Sequence, residues 1–509
     1  MNLNPSTIHE VVIDGHSLTI ETFLAVARFG AKVSVSEQAL AQMQRSRELA
    51  EKIASEKRVA YGITTGFGDF ARVAVPEEMS NTLSTNLILS HCTATGDPYS
   101  EEVVRGMMLL RANALCGGVS GVRPLLVQMM VDMLNKGVIP VVPQKGSLGA
   151  SGDLAPLAHM TLPMLGKGRA VYQGVEMDGA EAMAKAGIQP VETLVYKEGL
   201  GMTNGTCAMT SVGTLAWYDS FCAAQLADVI GSMTLEALTG LLNAYDERVH
   251  LVRGHKGQLQ VAKNFRLLTE GSEILSNCQN DRVQDAYSLR CIPQVHGAIR
   301  DALDYVKDKI EIELNAVTDN PLLFPDDEAV ISGGNFHGDY VSLEMDKLKI
   351  AVTKMTMLAE RQLNYLFHDR INETLPPFVN LGKLGLNYGL QAAQFTATST
   401  TAESQTLSNP MYVHSIPNNN DNQDIVSMGT NAAMLTRQVI ENGYQVLAIE
   451  MLALVQAADY LECAAELSAQ TRQLYDDIRR IVPKFIDDTP KYREIAAIEN
   501  FLKNNSASL

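Results

Sequence analysis

Residues 146–159 read GSLGASGDLAPLAH, a glycine-rich loop that leads into a helical pattern beginning near Asp153. Within this loop, Ala150-Ser151-Gly152 holds the parts of a strong carbon electrophile. Gly152 has no Cβ atom, so its backbone nitrogen can bend back onto the Ala150 carbonyl and close a five-membered ring. Loss of the Ser151 hydroxyl then leaves a methylene conjugated to the ring. The tripeptide alone is weak evidence, because Ser151 or Asp153 more often caps a helix in such a setting.

The neighbouring residues resemble the cofactor-forming loop of the aromatic amino acid ammonia-lyases. This family includes the histidine, phenylalanine and tyrosine ammonia-lyases, whose prosthetic group, 4-methylideneimidazole-5-one (MIO), forms autocatalytically from Ala-Ser-Gly. Five further stretches resemble family motifs in the expected order: 61–68 (YGITTGFG), 204–206 (NGT), 284–291 (QDAYSLRC), 333–337 (GGNFH) and 422–427 (NQDIVS). The resemblance covers nearly the whole chain and implies MIO formed from Ala150, Ser151 and Gly152, with no metal.

Long helical patterns dominate the second half of the sequence. Residues 344–367 contain neither Gly nor Pro, and residues 431–465 are interrupted only by Gly443. The second pattern includes an apolar run at 451–455. A helix that is apolar around much of its circumference must be buried, and we expect other subunits to cover this run. Shorter elements are predicted earlier in the chain: helices at 37–55, 101–115 and 124–134, and a strand at 11–15.

The predicted architecture is a single ammonia-lyase unit over residues 1–509. Residues 1–200 are expected to form a small mixed N-terminal part that carries the MIO loop and the Tyr61 loop. Residues 201–509 are expected to form a central and C-terminal helical bundle. The resemblance implies a mostly α-helical subunit with the histidine and phenylalanine ammonia-lyase fold, in a homotetramer with shared active sites. The tail at 504–509 is predicted to fray.

Composition narrows the possible partners and the compartment. The formal net charge is −17, which disfavours binding to nucleic acid or to an anionic membrane. Seven scattered cysteines without a CxxC spacing indicate neither a disulfide framework nor a zinc cluster. No signal-peptide pattern and no apolar stretch of membrane-spanning length is visible. We therefore expect a soluble cytoplasmic enzyme whose partner is a small-molecule aromatic amino acid.

An electrophilic cofactor suits the elimination of ammonia. The β-proton of an α-amino acid is barely acidic and an amine is a poor leaving group, so such reactions use a metal, pyridoxal phosphate or another electron sink. The sequence shows no metal-ligand cluster at a recognisable spacing and no motif that favours a pyridoxal lysine. A methylidene that captures the amine supplies the activation by covalent catalysis.

Two residues are predicted to handle the proton and the carboxylate of the substrate. Tyr61 matches the family base, and a phenol, whose pKa is roughly 10, needs a nearby cation, dipole or hydrogen bond to work near neutrality. Arg290 is the best carboxylate partner because a guanidinium offers two parallel hydrogen bonds. Tyr287, also predicted to be catalytic, shares a face with Arg290 if the segment is helical.

The resemblance assigns the remaining site residues. It implies that Asn204 and Gln284 hydrogen-bond the cofactor or the polar end of the substrate. It also implies that Phe336 lines the cofactor pocket and that Gly68 belongs to the substrate-binding set.

The identity of the substrate rests on three features that point in different directions. The pair Ser90-His91 resembles that of histidine ammonia-lyases. Gln423 stands where those enzymes have a glutamate and resembles the tyrosine and phenylalanine lyases. Residues 395–421 are similar to bacterial tyrosine lyases that also carry Ser-His, in which His91 would hydrogen-bond a phenolic hydroxyl. The preferred prediction is L-tyrosine to trans-4-coumarate; the alternatives are L-histidine to urocanate, a tyrosine 2,3-aminomutase, and an inactive scaffold.

Overall fold

The computed structural model describes residues 3–73, 75, 76 and 79–505, and it is 61% helical. The predicted mostly α-helical fold is therefore confirmed. The helices within this part of the chain are α1 Ile20–Ala27, α2 Glu37–Ser55, α3 Ser80–His91, α4 Glu101–Cys116, α5 Pro124–Lys136, α6 Leu154–Thr161, α7 Gly179–Lys185, α8 Glu198–Thr203, α9 Cys207–Ala237, α10 Glu247–Leu251, α11 Lys256–Leu268, α12 Glu273–Cys278, α13 Tyr287–Arg290, α14 Ile292–Leu314, α15 Asp339–Phe367, α16 Asp369–Asn372, α17 Gln391–Leu407, α18 Gly429–Leu461, α19 Ala469–Ile481 and α20 Tyr492–Asn505.

Four small sheets accompany these helices. β1 (Glu10–Ile13) pairs in parallel with β2 (Lys32–Val35). The other strands are antiparallel: β3 (Thr95–Pro98) with β5 (Pro143–Lys145), β4 (Val138–Pro140) with β6 (Arg169–Tyr172), β6 with β7 (Val175–Asp178), and β8 (Leu322–Phe324) with β9 (Ala329–Ile331). Seven of these nine strands lie before residue 200, as the predicted mixed N-terminal part requires, and the β8–β9 hairpin is an addition.

The chain forms two compact units. The first comprises Met1–Leu215, Lys307–Asp346 and Pro410–Met434, and it contains all the strands named above. The second comprises Ala216–Val306, Lys347–Asn409 and Leu435–Leu509. The division of one ammonia-lyase unit at residue 200 stays a prediction.

Local sequence explains where the predicted helices begin and end. Helix α2 occupies the predicted residues because the Ser36 hydroxyl accepts a hydrogen bond from the Ala39 amide and caps it. Helix α18 stops four residues before the predicted end, since Glu462 adopts a left-handed backbone conformation with φ of 54°. Residues 504 and 505 belong to α20, and the rest of the predicted frayed tail lies outside the described residues.

The second unit buries its apolar run within one chain. Every residue from 451 to 455 is 0% exposed, so the prediction that other subunits cover this run is wrong. Polar contacts tie helices of the same unit together. The Trp217 indole donates to the Leu303 carbonyl at 2.8 Å, and the Tyr444 hydroxyl donates to the Asp219 carbonyl at 3.1 Å. Among the described residues, no helix is both long and apolar enough to cross a membrane.

A buried carboxyl in this unit makes stability depend on pH. Glu450 is fully buried; its Oε1 accepts from Thr234 at 2.9 Å and its Oε2 has no hydrogen-bond partner. Burial raises the pKa of Glu450 to about 8. The unfolded chain releases this proton near pH ~4.3, so between the two values the folded state holds the extra proton and stability falls as pH rises.

We predict that Glu450→Gln removes this pH dependence, because the amide has no proton to lose. The free energy of unfolding of the variant should rise relative to wild type between about pH 5 and about pH 8, by up to ~1.4 kcal/mol per pH unit, and the thermal midpoint should rise with it. Thermal unfolding at several pH values measures the difference. Glu270→Gln, at an exposed position, is the matched control. A gap between Glu450→Gln and wild type that stays constant over this range would contradict the assignment.

Candidate active site

The tripeptide Ala150-Ser151-Gly152 lies in the loop before α6, in the first unit. Gly149 and Gly152 both have left-handed backbones, with φ of +73° and +74°. A Cβ atom on Gly152 would lie 2.1 Å from the Gly205 carbonyl oxygen. Only glycine fits at this position, and the absence of a side chain also leaves the backbone nitrogen unobstructed.

Four consecutive carbonyls of this loop accept hydrogen bonds from residues that are distant in sequence. The donors are backbone amides and side chains from three other segments of the first unit. The bonds are Met428 N to Leu148 O (2.9 Å), Gly338 N and Ser427 Oγ to Gly149 O (3.0 and 3.1 Å), His337 Nδ1 to Ala150 O (3.1 Å), and Asn204 Nδ2 to Ser151 O (2.8 Å). We call this set the carbonyl clamp. It holds the loop in one conformation.

Asp153 anchors the loop from its C-terminal side. It precedes α6 but makes no side-chain cap there, so capping of the following helix is not its role. Its fully buried carboxylate instead accepts from Ser147 and Thr430, at 2.7 and 2.5 Å, and from the amides of Ala208 and Met209 at the start of α9. Burial raises the pKa of Asp153, and these four donors oppose that shift.

A pocket of about 500 Å³ opens at Ser151. Eight of the residues predicted for the site line it: Tyr61, Gly68, Ser90, His91, Ser151, Asn204, Phe336 and Gln423. Sequence reasoning assigned no role to several other lining residues: Asp69, Leu87, Asn320, Asn419 and Asn422. The last two belong to an asparagine-rich run that could have signalled a polar wall.

Tyr61 receives the hydrogen bond that sequence analysis required. The Gly68 amide donates to the Tyr61 hydroxyl oxygen at 2.9 Å. The Tyr61 ring meets Phe67 edge to face, with centroids 6.3 Å apart. The hydrogen bond and the ring contact together fix the position of the phenolic oxygen.

Gln423 binds the side-chain hydroxyl of Ser151, and Asn204 binds its backbone carbonyl. Gln423 Nε2 donates to the Ser151 hydroxyl at 2.9 Å, and Asn204 Nδ2 donates to the Ser151 carbonyl at 2.8 Å. Both side chains therefore touch the residue predicted to lose its hydroxyl. This contact follows from no spacing in the sequence, because 272 residues separate Ser151 from Gln423.

His91 presents one ring nitrogen to a substrate. Its Nδ1 lies 2.8 Å from the Leu87 carbonyl, which can only accept, so Nδ1 carries the hydrogen. In the neutral ring Nε2 is then an acceptor. A phenolic O–H and an imidazole N–H are both suitable donors to it.

The remaining predicted residues belong to the second unit. Tyr287 and Arg290 lie on α13, and the Arg290 guanidinium is 4.5 Å from the centre of the Tyr287 ring. Gln284 is exposed, and the Arg290 Nε has no hydrogen-bond partner. None of the three lines the pocket, and no lysine or arginine does so among the described residues. The same part of the chain holds no group of three potential metal ligands.

Known proteins are similar to this chain in sequence and in fold. The family model for aromatic amino acid lyase matches residues 18–480. Histidine ammonia-lyase from Caldanaerobacter subterraneus subsp. tengcongensis is 48% identical over 495 residues, which cover 97% of each chain. The structure of tyrosine aminomutase from Streptomyces globisporus has a TM-score of 0.94 at 36% identity and 98% coverage of both chains. Histidine ammonia-lyase from Trypanosoma cruzi has a TM-score of 0.90 at 34% identity, covering 98% of this chain and 94% of that chain.

These similarities extend over the full length and confirm the predicted fold. They also identify the chain as a carbon–nitrogen lyase. The chain belongs to the aromatic amino acid lyase family.

Proposed function

We propose that this lyase uses MIO to eliminate ammonia from L-histidine, with urocanate as the product. The observation that carries the proposal is the full-length similarity to the Caldanaerobacter histidine ammonia-lyase. The pocket is compatible with it, because the acceptor nitrogen of His91 suits an imidazole N–H. Histidine thus replaces tyrosine as the first candidate.

L-tyrosine is the second candidate, and Gln423 is the observation that favours it. An amide at this position offers no charge to an imidazole, whereas the acceptor on His91 suits a phenolic O–H equally well. A site built to pair that hydroxyl strongly rejects an analogue that lacks it. The likeness to a tyrosine aminomutase supports the same substrate class.

The loop fits the cofactor that the family implies. Gly152 tolerates no side chain, its neighbour Ser151 is held at both ends, and the carbonyl clamp fixes the turn between them. When formed, MIO supplies an electrophilic alkene that activates the substrate amine as a leaving group.

Side chains of the pocket carry out proton transfer and binding in the proposed reaction. Tyr61 takes the β-proton, assisted by the Gly68 amide on its oxygen. Asn204 binds the carbonyl of Ser151, and Phe336 closes the apolar side of the pocket.

The substrate carboxylate requires a cationic partner. Among the described residues, no lysine or arginine lines the pocket. We assign this role to Arg290, contributed by another copy of the chain together with Tyr287 and Gln284. The Arg290 side chain is partly exposed, and its guanidinium lies 4.5 Å from the centre of the Tyr287 ring. The assignment requires active sites that are shared between subunits, as in the proposed homotetramer. We also propose that the enzyme is cytoplasmic.

We predict that Tyr61→Phe lowers kcat by ~100-fold or more, since a general base contributes about that factor. The β-proton then has no acceptor, whereas ring formation at Ser151 should be unaffected. Absorbance of the unsaturated acid measures the rate, and intact mass verifies the ring. Tyr492→Phe, at an exposed position, is the control. A Tyr61→Phe enzyme with wild-type kcat would exclude Tyr61 as the base.

A panel of L-histidine, L-tyrosine and L-phenylalanine tests the substrate. We expect the highest kcat/KM for histidine, and Gln423→Glu should raise the histidine-to-tyrosine ratio by about tenfold, because a carboxylate makes the stronger hydrogen bond to an imidazole. Gln260→Glu makes the same charge change at an exposed position and should leave the ratio unchanged. Coumarate from tyrosine without urocanate from histidine would establish the second candidate, and β-tyrosine would reveal an aminomutase.

A further inference from the structure

His337 contacts the one carbonyl that must lose its oxygen for a ring to form. Its Nδ1 lies 3.1 Å from the Ala150 oxygen. Because a carbonyl oxygen only accepts, Nδ1 carries the hydrogen and donates it. His337 ends the GGNFH stretch, in which the family resemblance assigns a role only to Phe336.

A carboxylate orients the other side of the imidazole. Asp339, the first residue of α15, places Oδ1 3.4 Å from the His337 Nε2. The His337 imidazole therefore lies between two acceptors, the Asp339 carboxylate and the Ala150 carbonyl. A carboxylate on one ring nitrogen fixes the ring orientation.

The donor on the Ala150 carbonyl differs in chemical kind from the other donors of the carbonyl clamp. Leu148 and Gly149 receive backbone amides and a serine hydroxyl, and Ser151 receives the Asn204 carboxamide. None of these donors exchanges a proton readily near neutral pH, whereas an imidazole does. The Ser151 carbonyl keeps its oxygen in the ring, and the Ala150 carbonyl does not. The one proton-transferring donor of the clamp therefore lies on the one carbonyl oxygen that leaves.

The attacking atom is also free to react. Within the described chain, the Gly152 amide donates no hydrogen bond, although the next amide, that of Asp153, donates to Gly205 at 2.7 Å. The nitrogen of Gly152 is therefore available on a turn that its neighbours hold rigid.

We propose that His337 is the general acid for ring closure between Ala150 and Gly152, an inference that rests on the proposed MIO-dependent function. The Gly152 nitrogen bonds to the Ala150 carbonyl carbon, the oxygen takes a proton from His337 Nδ1, and the proton released by the Gly152 nitrogen returns to the imidazole. The imidazole donates this proton to the resulting hydroxyl and converts it into water. As the carbon–oxygen bond breaks, the Ser151 nitrogen forms a double bond to the Ala150 carbon and gives up its own proton. The imidazole is regenerated, and one water leaves.

The structure provides space for that water. His337 and Asp339 line a second cavity of about 590 Å³, together with Glu313, Thr318 and Asn335. Ser151 lines the substrate pocket and not this cavity, so His337 and the Ser151 hydroxyl face different spaces. The polar lining offers the hydrogen-bond partners that a released water needs.

The test measures ring closure directly by intact mass during refolding of freshly synthesised full-length protein. Wild type should become two water molecules lighter than its sequence mass. His337→Gln keeps a hydrogen-bond donor but cannot transfer a proton, so its closure should slow by ~100-fold. His16→Gln, at an exposed position, should match wild type. Circular dichroism verifies that each variant folds.

Chemical rescue separates proton transfer from a structural role. The cavity left by His337→Ala admits imidazole, which should accelerate loss of water at least tenfold in that variant and not in wild type. Closure of His337→Gln at the wild-type rate, or no rescue of His337→Ala, would overturn the role of His337. A wild-type protein that turns over substrate at its full sequence mass would instead refute the proposed function itself.

Discussion

The buried carboxylate of Asp153 ties the reactive loop to the start of the 31-residue helix α9. An ionisable group in a fully buried position is costly unless its hydrogen bonds are satisfied, and here two amides and two hydroxyls do so. The helix N-terminus adds favourable electrostatics. Because Asp153 directly follows Gly152, this anchor fixes the turn at Gly152. The pocket, the clamp and the proposed chemistry all depend on that turn.

The carbonyl clamp extends this constraint along the loop. Residues near 204, 337 and 428 approach from different parts of the first unit and bind successive carbonyls. A loop held at every residue loses little conformational entropy on closing a ring, since the cost of ordering is met during folding. Under the proposed function, folding prepares the loop for cofactor formation. Each segment that completes the fold also completes the arrangement for the reaction.

The sequence predicts the elements that local patterns control. The helix at 37–55 follows from its charge pattern and its serine cap, and the loop at 61–68 follows from its three glycines. The eight pocket residues were predictable through motif resemblance. The burial of residues 451–455 within a single chain was not, because periodicity shows that a face must be covered but not by what. Likewise, the contact of His337 with Ala150 joins residues 187 apart, and no local signal encodes it. The proposed choice of substrate rests on Gln423 and His91, and the sequence does not show that both line one pocket.

The central claim is that the chain builds its electrophile from residues 150–152, and one measurement tests it most directly. Trypsin releases residues 146–167 as a single peptide, since Lys145 precedes it, Lys167 ends it, and no lysine or arginine lies between. Tandem mass spectrometry of this peptide from catalytically active protein should show a mass deficit of two water molecules, localised to Ala150-Ser151-Gly152. The unmodified mass, with fragment ions that retain an intact Ser151 in an active preparation, would contradict the account.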